Sequence, residues 1–319
     1  MKTLQTAKRA QILRCLIEGN SILSTSRITG AAKNTIIDFL AKAGEACTAY
    51  QDEHMRNLPC KTLQLDEVHG FVGCHEKSKK DAVLDHPGDV WVWTALCADT
   101  KLIPAWRLGD RSSRTAYAFC HDLSKRVTKG LQITTDGHPA YRWAIGAHFE
   151  DVNYARLIKI YGKDQDGFDV VIRTERQAVF GNPNMDLVST SFVERSNLSL
   201  RMSNRRYTRH TNAFSKKLEN HAHMLAVSFM HYNFSRKHST LKTTPAVAAG
   251  IADHQWTLEE IVEMIDTHFK RKFEAQFYAA FEEKITRPRT SPKSYAPQTP
   301  KTPWYLDPNS GGNPDLEKP

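Results

Sequence analysis

The chain has 319 residues, 40% hydrophobic and 25% charged, the mix of an ordinary globular protein with room for at least one sizeable core. No apolar run reaches the roughly 18 residues a membrane span needs, the N-terminus lacks an apolar signal segment, and the six cysteines are scattered without a C-x-x-C pair. These features exclude a membrane protein, a zinc ribbon and a disulfide scaffold, and predict reduced thiols in the cytoplasm.

The net charge of +9 is unevenly spread. Residues 195–242 hold ten Lys/Arg against one acid, residues 1–45 hold seven against three, and the rest is net acidic. Two separate basic zones point to two contacts with a polyanion, most simply nucleic acid; the alternative is a solvated basic face.

Three short helices are predicted over residues 7–44. Ala10, Ile12, Leu13, Leu16 and Ile17 recur at helical spacing before Gly19. Ser21 can cap a second helix that Gly30 ends, and Ile36, Ile37, Leu40 and Ala41 mark a third. Two helices joined around a glycine fit a helix-turn-helix domain over residues 1–50. Lys33, Asn34 and Thr35, at the start of the last helix, would then meet base edges or phosphates. A three-helix interaction module is the alternative.

From about residue 60 the texture turns to short β-rich runs. KTLQLDEVHGFV alternates as a strand, VWVWTALCA is a continuous apolar run suited to a sheet centre, and Pro104 places LIPAWRL near an edge. A helix over residues 114–127, a strand LQITTDG, a helix after it and a strand YARLIKIYG complete a mixed α/β sheet of five strands. Residues 163–190 read as loop, and the chain is expected to be helical through to about 236. Thr257 and Glu260 form a capping box for an amphipathic helix within residues 251–285. The proline-rich stretch 286–319 reads as a disordered tail. Trp91, Trp93 and Trp143 are expected to fill the core rather than stack on a base.

Three acids stand out by position. Asp66 lies late in the first strand, Asp136 ends the fourth, and Glu194 begins a long helix. If the first and fourth strands are neighbours, Asp66 and Asp136 project side by side, and a helix across the sheet can bring Glu194 to them. Converging carboxylates repel unless cations lie between them. Magnesium is the natural guest, because it takes hard oxygen ligands and keeps positions open for phosphate oxygens. Two such ions can activate a water or a 3′-hydroxyl and stabilise a leaving oxygen, which is phosphodiester chemistry. Each acid also has a plainer reading. Asp136 can cap a turn, and Glu194 can close a capping box with Ser191. Glu67 rivals Asp66 but points to the opposite face. On the helix, Asn197 and Arg201 share the face of Glu194 and can orient its carboxylate or hold a phosphate. Arg205, Arg206 and Arg209 are expected to continue along the flanking backbone. The histidines at 221, 223, 231 and 238 lack cysteines or a facing pair and do not read as a zinc site.

The segments LQLDEVHGFV, TTDGHPAY, FVERSNLSLRMSNRRYTRHTNAFSKKLENH and HYNFSRKHSTLKTTPA together resemble the DDE-type transposases of the insertion-sequence-one class, over residues 60–250. The resemblance implies a ribonuclease-H-like catalytic domain that cleaves DNA ends with divalent metal, magnesium or manganese, and transfers strands. It places Asp66, Asp136 and Glu194 at the metal-binding triad, with Arg201 and His210 in the block of the active-site helix. It implies DNA as partner and at least a homodimer in the working complex. Some members begin with a cysteine-bearing zinc module, which this chain lacks. The rival readings are a nuclease or resolvase on the same fold, and a DNA-binding regulator without catalysis.

Overall fold

The computed structural model describes residues 4–81, 87–208 and 211–286. Arg209, His210 and the stretch after Thr286, where the tail is expected, lie outside the described residues.

Helix α1 runs Thr6–Ile17, α2 Ile22–Thr29 and α3 Lys33–His54. Ser21 caps α2 by accepting from the Ser24 N–H, and Gly30 ends it at φ 70°, a left-handed turn glycine adopts without strain. Helix α3 does not stop near residue 43. Its second half carries Ala46, Cys47 and Gln51 into the interior, and Gln51 Nε2 donates to the Ala226 carbonyl at 3.3 Å. Alternating polar residues hide that face in the sequence.

The sheet is built from β1 (Thr62–Val72), β2 (Gly88–Cys97), β3 (Ala105–Gly109), β4 (Leu131–Thr135), β5 (Val152–Lys163) and β6 (Asp169–Phe180), in the order β3-β2-β1-β4-β5-β6. β1, β4 and β5 are mutually parallel, whereas β2 runs antiparallel to β1 and β3. The first five strands form a mixed sheet flanked by helices, as expected. The sixth corrects the expectation of five strands and a loop over 163–190. β6 pairs antiparallel with β5, and most of it is exposed on both faces, so its sequence shows no buried alternation. The signal present is the β-branched run Val170-Val171-Ile172.

Helices α4 (Ser113–Ser124) and α5 (Ala140–His148) cover one face of the sheet. Phe119, Tyr141, Leu63, Leu65 and Trp93 meet there in one core that also takes in Ile12, Leu16, Leu40 and Met55 from the N-terminal helices. The other face carries α6 (Ser191–Ser203) and α7 (Leu218–Met230), with Val193, Leu200, Leu225 and Phe229 packed on Val68, Val92 and Leu96. The chain is not helical throughout this region. Asn204 ends α6, its side chain accepting from Arg206 N–H, and Arg205–Tyr207 form a short 3-10 turn. A five-residue π-turn follows α7, then α8 (Pro245–Ala248) and α9 (Leu258–Thr286). Glu260 and Thr257 exchange hydrogen bonds at the start of α9, forming the expected capping box. Leu258, Ile261, Val262 and Ile265 enter the core.

Residues up to Arg271 form one compact unit; those from Lys272 belong to a second, whose described part is the end of α9 with Phe273, Phe277, Tyr278 and Phe281 exposed. Among the described residues no helix is long and apolar enough to cross a membrane.

Candidate active site

The register sets the acids. Parallel pairing of β1 with β4 puts Leu65 opposite Thr135, so Asp66, in the middle of β1, and Asp136, just past the end of β4, are neighbours. Side-chain alternation carries Asp66 toward α6 and Glu67 toward α5, as the sequence predicts. Glu67 is nonetheless part of the site. Carboxylate oxygens of Asp66, Glu67 and Asp136 all lie within 4.8 Å of one another.

Each acid is held differently. Asp66 accepts from Glu67 N–H at 2.8 Å and from Asn197 Nδ2 at 2.7 Å. Burial raises its pKa to about 6, with Asp136 and Glu194 adding to the rise. The Glu67 side chain is only 1% exposed, accepts from Arg111 Nε at 3.2 Å through Oε2, and lies beside the buried Tyr141 hydroxyl. Burial pushes it up to about 7. Asp136 accepts from His138 N–H at 2.9 Å, so the turn role read for it is present alongside its place in the cluster.

Glu194 sits on α6, whose N-terminus docks on β1. Gln64 Oε1 accepts from both Phe192 and Val193 N–H, at 2.9 and 3.0 Å, satisfying two groups a helix start leaves open. The capping box with Ser191 does not form. Ser191 is already the first helical residue, and Glu194 Oε1 instead accepts from Lys159 Nζ and Thr190 Oγ1, each at 2.5 Å. Burial works against the charge of Lys159, but the Glu194 carboxylate outweighs it and its pKa is raised.

Asp66, Glu67, Glu194, Asn197, Arg201 and Arg205 line a single open groove of about 610 Å³, closed at one side by Glu18 and Gly19 from the α1–α2 turn. Asn197 is buried and bonded to Asp66, so it orients an acid, and it orients Asp66 rather than Glu194. Arg205 and Arg206 do not extend the α6 face, because Asn204 turns the chain. Burial lowers the pKa of Arg206 to about 10. On the other flank of α6, Lys101, Arg195, Arg236, Lys237 and His238 line a second groove of about 330 Å³. Lys33 and Asn34 are exposed at the start of α3, and Thr35 is half-buried.

Trp93 fills the core as expected, and Trp91 is half-buried. Trp143 is not a core residue: it is 58% exposed and stacks on Tyr117 at 4.7 Å between ring centres. Of the four downstream histidines, His221 is buried between Tyr207 Oη and Ser215 Oγ, a hydrogen-bonded position within the core. Gln64, Lys159 and the role of Glu67 escape a reading of the sequence. Each depends on which strand or helix lies opposite, and only the lone polar residue between apolar neighbours hints at Gln64.

No family model matches the sequence, and no curated protein matches it. Solved structures similar in part include the Mos1 transposase paired-end complex with left transposon end, at 9% identity and a TM-score of 0.20 over 48% of this chain and 60% of that one. The piggyBac transposase synaptic complex with hairpin DNA matches at 9% identity and a TM-score of 0.34, over 93% of this chain and 78% of that one. The Mos1 strand transfer complex matches at 9% and 0.18, over 48% and 59%. Likenesses at TM-scores below 0.5 carry no argument about function, which has to be read from the site's own residues.

Proposed function

We propose that the protein is a DDE-type DNA transposase that cleaves the ends of a mobile element and joins them to target DNA. The observation that carries this reading is the meeting of Asp66, Glu67 and Asp136 within 4.8 Å, where β4 ends beside the middle of the parallel strand β1. Of these, Asp66 and Glu67 open on a groove that Glu194, Arg201 and Arg205 also line.

The donor set of the cluster is all carboxylate oxygen. That set fits a small hard dication, Mg²⁺ with Mn²⁺ as substitute, held by Asp66 and Asp136 with Glu67 or Glu194 completing the shell. Bound there, such ions supply activation of a water or 3′-hydroxyl and stabilisation of the leaving oxygen. The chain's own residues do the positioning. Asn197 fixes the orientation of Asp66, and Lys159 directs the Glu194 carboxylate. Arg201 and Arg205 meet the phosphates of a strand lying in the groove, where guanidinium forks match phosphate geometry. Arg206, Arg209 and His210 belong to the same basic block, and Lys33, Asn34 and Thr35 contact the element end. Pairing two ends requires at least two copies of the chain.

The test is nicking and joining of a plasmid carrying the gene's own flanking DNA, with Mg²⁺, Mn²⁺ or EDTA, beside Asp136→Asn and Glu194→Gln. Cutting and joining that vanish with EDTA and with either variant are expected. Cutting without joining would instead make the protein a nuclease, and tight DNA binding without cutting in any metal would make it a regulator.

A further inference from the structure

A second convergence of metal-ligating groups lies three residues beyond Asp66 on β1, and its donors are of another kind. His69 Nε2 stands 3.3 Å and His75 Nδ1 3.1 Å from the same oxygen, Oδ1 of Asp89, and all three atoms fall within 4.8 Å of one another. Bonds of about 2.0–2.1 Å to a dication put neighbouring ligand atoms about 3.0–3.4 Å apart, in octahedral or tetrahedral geometry. The two separations are edges of such a polyhedron.

The fold builds this arrangement from separate elements. His69 lies opposite Trp91 in the β1–β2 ladder and Phe71 opposite Asp89, so His69 and Asp89 are diagonal neighbours on one face. His75 is returned to them by a turn through Gly73 at φ 73°, pinned where Gly73 N–H donates to the Ser215 carbonyl at 2.8 Å. Trp91 packs edge-on against His69 at 5.0 Å, and Phe71 lies against His75 at 4.0 Å, restricting both imidazoles. Glu76 N–H reaches Asp89 Oδ1 at 3.4 Å, an outer contact of the kind that orients a ligating carboxylate.

We propose that His69, His75 and Asp89 bind one zinc-class dication, distinct from the hard-oxygen site at Asp66, Glu67 and Asp136. Two imidazoles and one carboxylate select Zn²⁺ or Co²⁺ over Mg²⁺, and three protein ligands leave a position for water. The ion ties the end of the strand that carries Asp66 to the turn at residues 73–75. The assignment does not depend on the proposed DNA chemistry.

The test titrates the metal-free full chain with Co²⁺, reading the visible d–d bands, then adds Zn²⁺ or Mg²⁺ as competitor. One equivalent of Co²⁺ with an intense tetrahedral or five-coordinate spectrum is expected, displaced by Zn²⁺ and not by Mg²⁺. His75→Ala should abolish the bands and weaken Zn²⁺ binding at least ~10-fold, and His69→Gln should do the same, so that a folding defect in one variant leaves the other decisive. Asp66→Asn should leave the bands unchanged. A wild-type chain with only the weak spectrum of the hydrated ion, or variants that bind as wild type does, would overturn the proposal and leave these residues a surface ion pair. Loss of the bands in Asp66→Asn would assign the cobalt to the carboxylate site and overturn it equally.

Discussion

Asp66 is a residue whose charge the fold does not welcome. Burial drives its pKa to about 6, against an ordinary value near 4, so above pH 6 the ionised form costs the folded chain about 3 kcal/mol. Asp66→Asn in metal-free buffer at pH 8 should therefore melt a few degrees above the wild type. Added Mg²⁺ should raise the wild-type melting temperature more than that of the variant. A variant that melts lower would mean the carboxylate is retained for structure. Asn197 makes the complementary case. Asn197→Leu keeps the volume but removes the donor 2.7 Å from Asp66, and should weaken Mn²⁺ binding ~10–100-fold, read by titration, with the circular dichroism spectrum unchanged. Asp136 is legible in the sequence because it ends a strand, and Asp66 because it is a carboxylate set among the apolar residues of one. Glu67 is discounted there on a correct argument about alternation, which does not foresee that Asp136 stands between the two faces. Lys159 and Gln64 act across the sheet, and spacing along one strand cannot reveal a partner on another.

At the scale of elements, what can be read depends on what is buried. β1, β2, β4 and β5 announce themselves by alternation or continuous apolar runs. β6, exposed along nearly its whole length, and the second half of α3 do not. The end of α6 is missed for a local reason: Asn204 prefers to bond its own backbone, and a helical reading of the arginines runs past it. The crossing of α3 with α7 yields a sharp expectation. Alanine is normally the better helix former than glycine by about 1 kcal/mol. At Gly44 a Cβ would lie 2.4 Å from His223 Cβ and 2.5 Å from its Cα, so the two backbones would have to part. Gly44→Ala should thus destabilise by about 1–3 kcal/mol in urea unfolding, the reverse of the propensity rule. An unchanged midpoint would show that the crossing is looser than these distances.

For the molecule as a whole, acid should be a stronger denaturant than the carboxylates alone would make it. Burial holds His221 down at about 3 and His231 at about 4, against an ordinary 6.5. A histidine whose folded pKa is depressed contributes stability that is complete above 6.5 and is lost as pH falls toward the folded value. The displacement at His221 alone is worth about 5 kcal/mol. Urea midpoints should therefore fall between pH 6.5 and 4, and His221→Gln, already weaker at pH 7.5, should show a shallower fall. An equally steep fall in the variant would place the acid sensitivity elsewhere.

The N-terminal helices have a consequence for anyone who would take the protein apart. Ile12, Leu16, Leu40 and Met55 lie in the same core as Leu63, Trp93 and Phe119, and α3 crosses residue 50 without a break. A chain severed near residue 55 would bare two matching apolar faces, giving two sticky fragments in place of two independent folding units. Because α3 packs into that shared core, it cannot be shifted without disturbing the buried side chains under the sheet.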